Sequence, residues 1–298
     1  MYKIIQRSKI WLSLSGILVV ISLIFLMMWG LDYGIDFTGG SLLEIKFSEN
    51  RPSIAKIQEE LSPLELKSLL IQPVDESEII LRFQNTSEEK HQEIMKVLNG
   101  ADGLTTGSIE ELRFDSVGPS IGEELKRKSV YALFTVLIAI VIYIAWAFRK
   151  VSKPVASWKF GLTAIIALFH DVLIVLGVFA FLGEFYGVEI NTTFVAAILT
   201  VLGYSVNDTI VVFDRVRENL PKSDEDFENT INTSINQTIT RSINTSLTTL
   251  LVLLSIVFFG GSSIRDFVLA LSIGVFIGTY SSIFLASPVL VLWEKLKK

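Results

Sequence analysis

Apolar residues gather in six long runs: Ile10–Gly30, Ser129–Phe148, Phe160–Leu182, Asn191–Phe213, Ser242–Phe259 and Phe267–Leu292. A polar block of about a hundred residues separates the first run from the second, the pattern of an integral membrane protein with one sizeable extramembrane domain. Each run approaches the ~20 residues that cross a hydrocarbon layer about 30 Å thick. The first run is longer than the apolar core of a signal peptide and ends in Met27-Met28-Trp29-Gly30 rather than small-x-small, so it reads as an uncleaved first span. The division expected is 1–30 for the N-terminus and first span, 31–128 for the extramembrane domain and 129–298 for the remaining spans with their loops.

Inside 31–128 the periodicity changes from helical to alternating and back. Gly34–Gly40 (GIDFTGG) opens the domain, its glycines permitting positive φ and close backbone approach; no lysine or GK[ST] ending follows, so it does not form a phosphate loop. Ser41–Phe47 alternates as a strand. Pro52–Leu61 places Ile54, Ile57 and Leu61 at helical spacing. Lys67–Val74 and Glu78–Phe83 read as strands joined by a turn at Asp75-Glu76-Ser77. Ser87–Leu98 reads as a helix capped by Ser87, with Ile94, Val97 and Leu98 on one face, and Thr106–Phe114 as the last strand. The order βαββαβ is the ferredoxin-like split βαβ arrangement. Ser116–Gly122 (SVGPSIG) and the charged stretch Glu123–Lys128 then connect to the second span. The fold class expected is an α-helical polytopic membrane protein of six spans with one external α+β module.

Charge orients the spans. The segments 1–9, 149–159, 214–241 and 293–298 are rich in Lys and Arg, whereas the short loops 183–190 and 260–266 hold only Arg265. By the positive-inside rule both termini lie in the cytoplasm, and the domain 31–128 lies outside, periplasmic or extracellular. The net charge of −5 gives no basic footprint for nucleic acid. Zero cysteines exclude disulfides and thiolate metal sites. Two histidines far apart in sequence, His91 and His170, do not make a metal site, and no cofactor is expected. No trio of nucleophile, base and orienting group occurs in the domain 31–128, so an enzyme is not expected.

Chemistry concentrates in Thr200–Arg217 (TVLGYSVNDTIVVFDRVR), where Asp208 interrupts the fourth span. A carboxylate in hydrocarbon costs at least ~2.5 kcal/mol, so it must be solvated, paired or protonated; embedded carboxylates are candidates for proton relays. Asp208 lies six residues before Asp214, ~9 Å from the cytoplasmic end at 1.5 Å per residue. Arg241 opens the fifth span from that side, at a depth where the two can meet. Asn244, Thr245, Thr248 and Thr249 continue a polar stripe at helical spacing, and Tyr204, Ser205 and Asn207 precede Asp208 on the fourth span. A wet polar seam between the two spans is the expectation, against the plainer one of a structural carboxyl and a snorkelling cytoplasmic anchor. His170 and Asp171 interrupt the third span; as neighbours they point about 100° apart, so one or both join the seam or pair structurally. Gly274-x-x-x-Gly278 in the sixth span is a close-packing motif, and Pro288 is expected to kink or end that span.

Three motifs together carry a family resemblance: GIDFTGG after the first span, VGPSIG before the second, and GYSVNDTIVVFDRVREN at the end of the fourth. They resemble the SecF subunits of the bacterial Sec protein translocase, within the SecD/SecF family and the wider resistance-nodulation-division (RND) superfamily of proton-driven transporters. The His170-Asp171 pair resembles the family pattern as well. One departure is the cytoplasmic loop around Leu220–Asp224, which is short and shifts the spacing to Arg241. The resemblance implies an accessory subunit in the cell inner membrane that pairs with SecD and serves the SecYEG channel, with YajC and YidC as further neighbours alongside preprotein and membrane lipids. It implies use of the proton motive force to pull or release preproteins on the outer face, with ATP hydrolysis left to SecA. It places proton coupling at Asp208 and Arg241, and makes Gly34, Asp36, Gly39, Gly40, Gly118 and Pro119 the joints to the external domain.

Three alternatives use the same residues. An RND-type exporter of lipids or small molecules needs a larger external domain than 31–128 supplies. A passive scaffold for SecD leaves Asp208 structural. An intramembrane aspartyl protease needs a second aspartate in a GxGD-like setting, whereas Asp171 sits in FHDV.

Overall fold

A computed structural model describes residues 2–48, 51–100, 109–148 and 156–295. The basic loop residues Arg149, Lys150 and Lys153, the tail residues Lys297 and Lys298, and the first part of the strand expected from Thr106 lie outside these residues. The chain divides into two units, Tyr33–Ser129 and the remainder.

In the first unit, α2 (Ile35–Thr38) is a single helical turn within GIDFTGG, followed by β1 (Gly40–Phe47), α3 (Ile54–Leu61), β2 (Leu70–Pro73), β3 (Glu78–Phe83), α4 (Glu88–Gly100) and β4 (Ile109–Val117). The four strands form one antiparallel sheet in the order β2-β3-β1-β4. With β3 between β1 and β2, this is the split βαβ arrangement. Alternate residues Leu43, Ile45 and Phe47 of the central β1 meet Ile57 and Leu61 of α3 and Ile94 and Leu98 of α4 in a common core, as the two-residue strand period requires. His91 of α4 stacks on Phe114 with ring centroids 3.8 Å apart, its two ring nitrogens each 3.1 Å from Glu88 or Glu111.

The two glycine motifs pack against each other. Gly39 and Gly40 both have positive φ (+71° and +139°), which a side chain disfavours. A Cβ on Gly39 would lie 2.8 Å from Pro119 Cα, and one on Gly122 would lie 3.0 Å from Gly39 N. Pro119 opens α5 (Pro119–Ala147) rather than standing in a connector. Proline suits the first helical position because its missing N–H would be unpaired there anyway. The charged stretch Glu123–Lys128 is thus helical, and its Glu124 and Lys128 form an i,i+4 pair at 2.8 Å.

The second unit holds α1 (Ser8–Met28), the rest of α5, α6 (Ser157–Tyr186), α7 (Thr192–Asn219), α8 (Phe227–Phe259), α9 (Ser262–Ser281) and α10 (Ser287–Lys295), the last two joined by a π-helical segment, Ser282–Ala286. Among the described residues six helices are long and apolar enough to cross a membrane, α9, the π segment and α10 counting as one. The most apolar windows of the third, fourth and sixth are 50–61% buried, those of the other three 6–11%. So α6, α7 and α9 form the interior, and α1, α5 and α8 lie around it.

Small residues bring the interior helices together, and α6 against α1. A Cβ on Gly274 would lie 2.1 Å from Val201 Cγ2, one on Gly278 2.9 Å from Ser205 Cβ, and one on Gly177 2.4 Å from Ser22 Cβ. Pro288 does not end the sixth span: the helix passes through the π segment just before it and resumes. A proline ring clashes with the carbonyl four residues back, and a widened turn accommodates it. At the polar end of α8, Asn232 Oδ1 accepts from the N–H groups of Ile4 and Ile5, and Asn236 Oδ1 from that of Tyr2, which straps the N-terminal residues across the helix.

Candidate functional site

Two helices, α6 and α7, carry two buried carboxylates within the span bundle, and α8 and α9 supply partners to them. Asp208 of α7 is 8% exposed, and its Oδ1 accepts a 2.6 Å hydrogen bond from Ser242 Oγ of α8. Its Oδ2 is buried with no hydrogen-bond partner among the described residues. Arg241 precedes Ser242 and is exposed; among the described residues no direct ion pair joins it to Asp208, although the guanidinium remains near enough to act on the carboxylate through space. The cause is helical rotation. Thr238, Ser242 and Ser246 of α8 are buried, and a step of one residue turns Arg241 about 100° away from that face.

The same rotation moves the expected stripe out of the seam. Asn244, Thr245 and Thr248 are exposed, and the threonine hydroxyls donate back to their own helix, Thr245 to Arg241 O, Thr248 to Asn244 O and Thr249 to Thr245 O. Asn207 is exposed as well. The contacts between helices join Tyr204 and Ser205, both expected in the seam, to residues that sequence reasoning passed over. Tyr204 Oη donates to Ser246 Oγ at 3.1 Å, and Thr279 Oγ1 of α9 donates to the same oxygen at 2.5 Å. Thr209 and Ser282 hydroxyls lie 2.9 Å apart. The i,i+4 pair Ser242/Ser246 and the doublet Ser281-Ser282 were the available signal, but hydroxyl residues are common in spans and a stripe one residue away carried a charge.

Asp171 of α6 is fully buried and has three partners. Its Oδ2 accepts from Ser205 Oγ of α7 at 2.5 Å and from Ser281 Oγ of α9 at 2.7 Å; its Oδ1 is 2.9 Å from His170 Nδ1. Both neighbours therefore enter the seam, because the imidazole folds back onto the adjacent carboxylate instead of reaching another helix. Ser205 and Asp208 share one face of α7, three residues apart, so the two carboxylates belong to one polar region (Asp171 above Ser205's turn, Asp208 on the next).

Of the residues expected as joints, Gly39 and Pro119 make the close contact described above, and Gly40 lies against Phe83 O and Ile35. Gly34 accepts through its carbonyl from Thr38 Oγ1, Asp36 lies in the helical turn, and Gly118 caps α5 through its carbonyl. No group of three or more metal-ligating side chains occurs among the described residues.

Comparison with known proteins agrees with this architecture. Residues 98–296 match the family described as protein export membrane protein SecD/SecF, C-terminal, and residues 30–50 match the SecD/SecF GG motif. The chain is 41% identical to the protein translocase subunit SecF of Thermobaculum terrenum, covering 94% of this chain and 90% of that protein. It is 42% identical to the SecF of Desulfurispirillum indicum, covering 95% and 88%. It superimposes on the crystal structure of SecDF, a translocon-associated membrane protein from Thermus thermophilus, with a TM-score of 0.84 at 34% identity. A second SecDF structure, in a super-membrane-facing form, gives 0.69. In both cases 99% of this chain is covered but only 39% of the SecDF chain. With the GG motif, the C-terminal family region and relatives matched along nearly their whole length, the chain belongs to the SecD/SecF family of protein-export membrane proteins.

Proposed function

We propose that this chain is a proton-coupled accessory subunit of the Sec machinery, in which Asp208 gains and loses a proton and the movement of α8 against α7 follows. The observation that carries this reading is a buried carboxyl with one oxygen held by Ser242 and the other without a partner among the described residues. The anion holds the Ser242 hydroxyl; a proton on Oδ2 weakens that hold and lets α8 shift. Arg241, on the exposed side of α8, supplies a fixed positive charge beside the carboxyl and moves with the helix. One elementary charge crossing 100 mV is worth ~2.3 kcal/mol, enough to change a two-state ratio roughly fifty-fold. The joints at Gly34–Gly40 and Gly118–Pro119 carry that motion to 31–128.

In this reading the chain sits in the cell inner membrane with both termini cytoplasmic and 31–128 on the outer face. SecD supplies the partner half, consistent with the 39% share of the SecDF chain that this sequence covers. SecYEG delivers the preprotein, with YajC and YidC nearby. The outer module grips or releases the emerging chain, and no catalysis is assigned to any residue.

A passive scaffold differs in one measurable way. Translocation into inverted membrane vesicles, with and without this subunit, is compared before and after the proton motive force is collapsed. The motor reading expects the benefit of the subunit to vanish on collapse; a benefit of equal size in both conditions would establish the scaffold instead.

A further inference from the structure

Asp171 raises a question that Asp208 does not answer. Its carboxylate receives three hydrogen-bond contacts, at 2.5, 2.7 and 2.9 Å, and touches no lysine or arginine among the described residues. Hydroxyl donors stabilise a carboxylate without neutralising it, and an unneutralised charge deep in a span is expensive. Among the described residues, the only cation that can form in contact with Asp171 is the imidazole beside it. His170 is 4% exposed, and its outer nitrogen, Nε2, is buried with no partner among the described residues. With Nδ1–H donating to Asp171, that nitrogen is a bare lone pair, the open position of the pair.

We propose that His170 and Asp171 form a second proton-binding site, distinct from Asp208, which takes its proton at His170 Nε2 and passes its charge state to the last span through Ser281. The step balances simply: one proton binds the Nε2 lone pair, the ring becomes imidazolium, and the pair goes from one net negative charge to none. Of the other titratable groups, Tyr280 on α9 has its ring 6.2 Å from that of His170, and Asp208 lies one turn along α7 from Ser205, the residue that donates to Asp171. Tyr280 is already engaged, its hydroxyl donating to Trp11 O and lying 3.1 Å from Ser15 Oγ.

The fold gives the site a means of acting. Ser281 donates to Asp171, while Ser282 donates to Ser205 O and sits against Thr209. Consecutive residues of a helix diverge by about 100°, yet both hydroxyls reach polar partners here, at the point where the helix widens into the π segment. Neutralising the pair weakens the pull of Asp171 on Ser281 and leaves Ser282 holding α7, a change of register at a place where the helix already departs from α geometry. The functional meaning rests on the proton-coupling reading of Asp208; the binding of a proton at His170 does not.

The chain contains only two histidines, so the site can be watched directly. The full-length chain labelled with 15N-histidine is placed in lipid nanodiscs, and ring nitrogen shifts are followed between about pH 5 and 8, the range in which histidine charge normally changes. His91→Gln assigns the remaining signal to His170. The expected result is a reversible change at Nε2 of His170 with Nδ1 staying hydrogen-bonded, and at least a tenfold loss of the imidazolium form at a given pH in Asp171→Asn. Ser281→Ala, a smaller change that leaves the carboxyl in place, is expected to shift the His170 midpoint, with Ser281→Thr restoring it. A His170 signal that stays neutral throughout, or that titrates identically in Asp171→Asn and Ser281→Ala, overturns the proposal. So does loss of the His170 titration in Asp208→Asn, since that would make the two acids a single site. Unimpaired translocation by Asp208→Asn with the His170 titration intact would instead overturn the motor reading and leave the second site standing.

Discussion

At the level of single side chains, the proposed coupling turns on Asp208 and its hydroxyl partner. Ser242 makes the one hydrogen bond that the Asp208 carboxyl has among the described residues. A hydrogen bond to a charged group contributes about 1.5–3 kcal/mol, so Ser242→Ala should reduce proton-driven translocation by about tenfold or more. Ser242→Thr, which keeps the hydroxyl, should stay near the parent in the same vesicle assay. Equal activity in Ser242→Ala and the parent would show that the bond has no role in coupling. Asp208 itself was legible in the sequence, because a carboxylate inside an apolar run has few structural reasons to be there. Its partner was not. Arg241 and Ser242 are adjacent, both sit at a plausible depth, and only the rotation of α8 distinguishes them. That rotation is fixed by packing against α7 and α9, which no periodicity within α8 reports.

Close approach of α7 and α9 holds the carboxylates in place, and it depends on two glycines. Val201 faces Gly274 and Ser205 faces Gly278, each at a distance that leaves no room for a methyl group. Gly274→Ala pushes against a β-branched side chain that is stiff in a helix, and overpacking of this kind costs about 1–3 kcal/mol. Gly278→Ala displaces Ser205 and with it a donor to Asp171. Both variants should lower the thermal unfolding midpoint of the detergent-solubilised chain, while Gly16→Ala, where a Cβ meets nothing within 4 Å, should not. A midpoint unchanged by Gly274→Ala would mean that the contact between α7 and α9 is looser than described. The Gly-x-x-x-Gly spacing made this packing legible. Helix ends were less so. The start of α5 at Pro119 was hidden because Glu123–Lys128 reads as a soluble connector, although an i,i+4 ion pair makes it helical. The continuation past Pro288 was hidden because a π turn has no sequence pattern of its own.

Topology and function belong to the molecule as a whole. Six apolar runs and the βαββαβ order could be read directly, since hydrocarbon thickness and strand alternation impose them on the sequence. The seam could be read only in part, through Tyr204, Ser205, His170 and Asp171, since it joins residues from spans three, four, five and six. The absence of native cysteine makes sidedness easy to test. Ser87→Cys in the outer module should react with a membrane-impermeant maleimide on intact cells, and Ser223→Cys, between α7 and α8, only after the membrane is opened; the reverse pattern would invert the proposed orientation. Motor action is tested most directly by Asp208→Asn, which preserves shape and removes the titrating proton. With the channel, the ATPase and the partner half present, the variant should assemble normally but complete proton-driven translocation no better than membranes lacking the subunit. Full translocation by Asp208→Asn, still sensitive to collapse of the proton gradient, would contradict it.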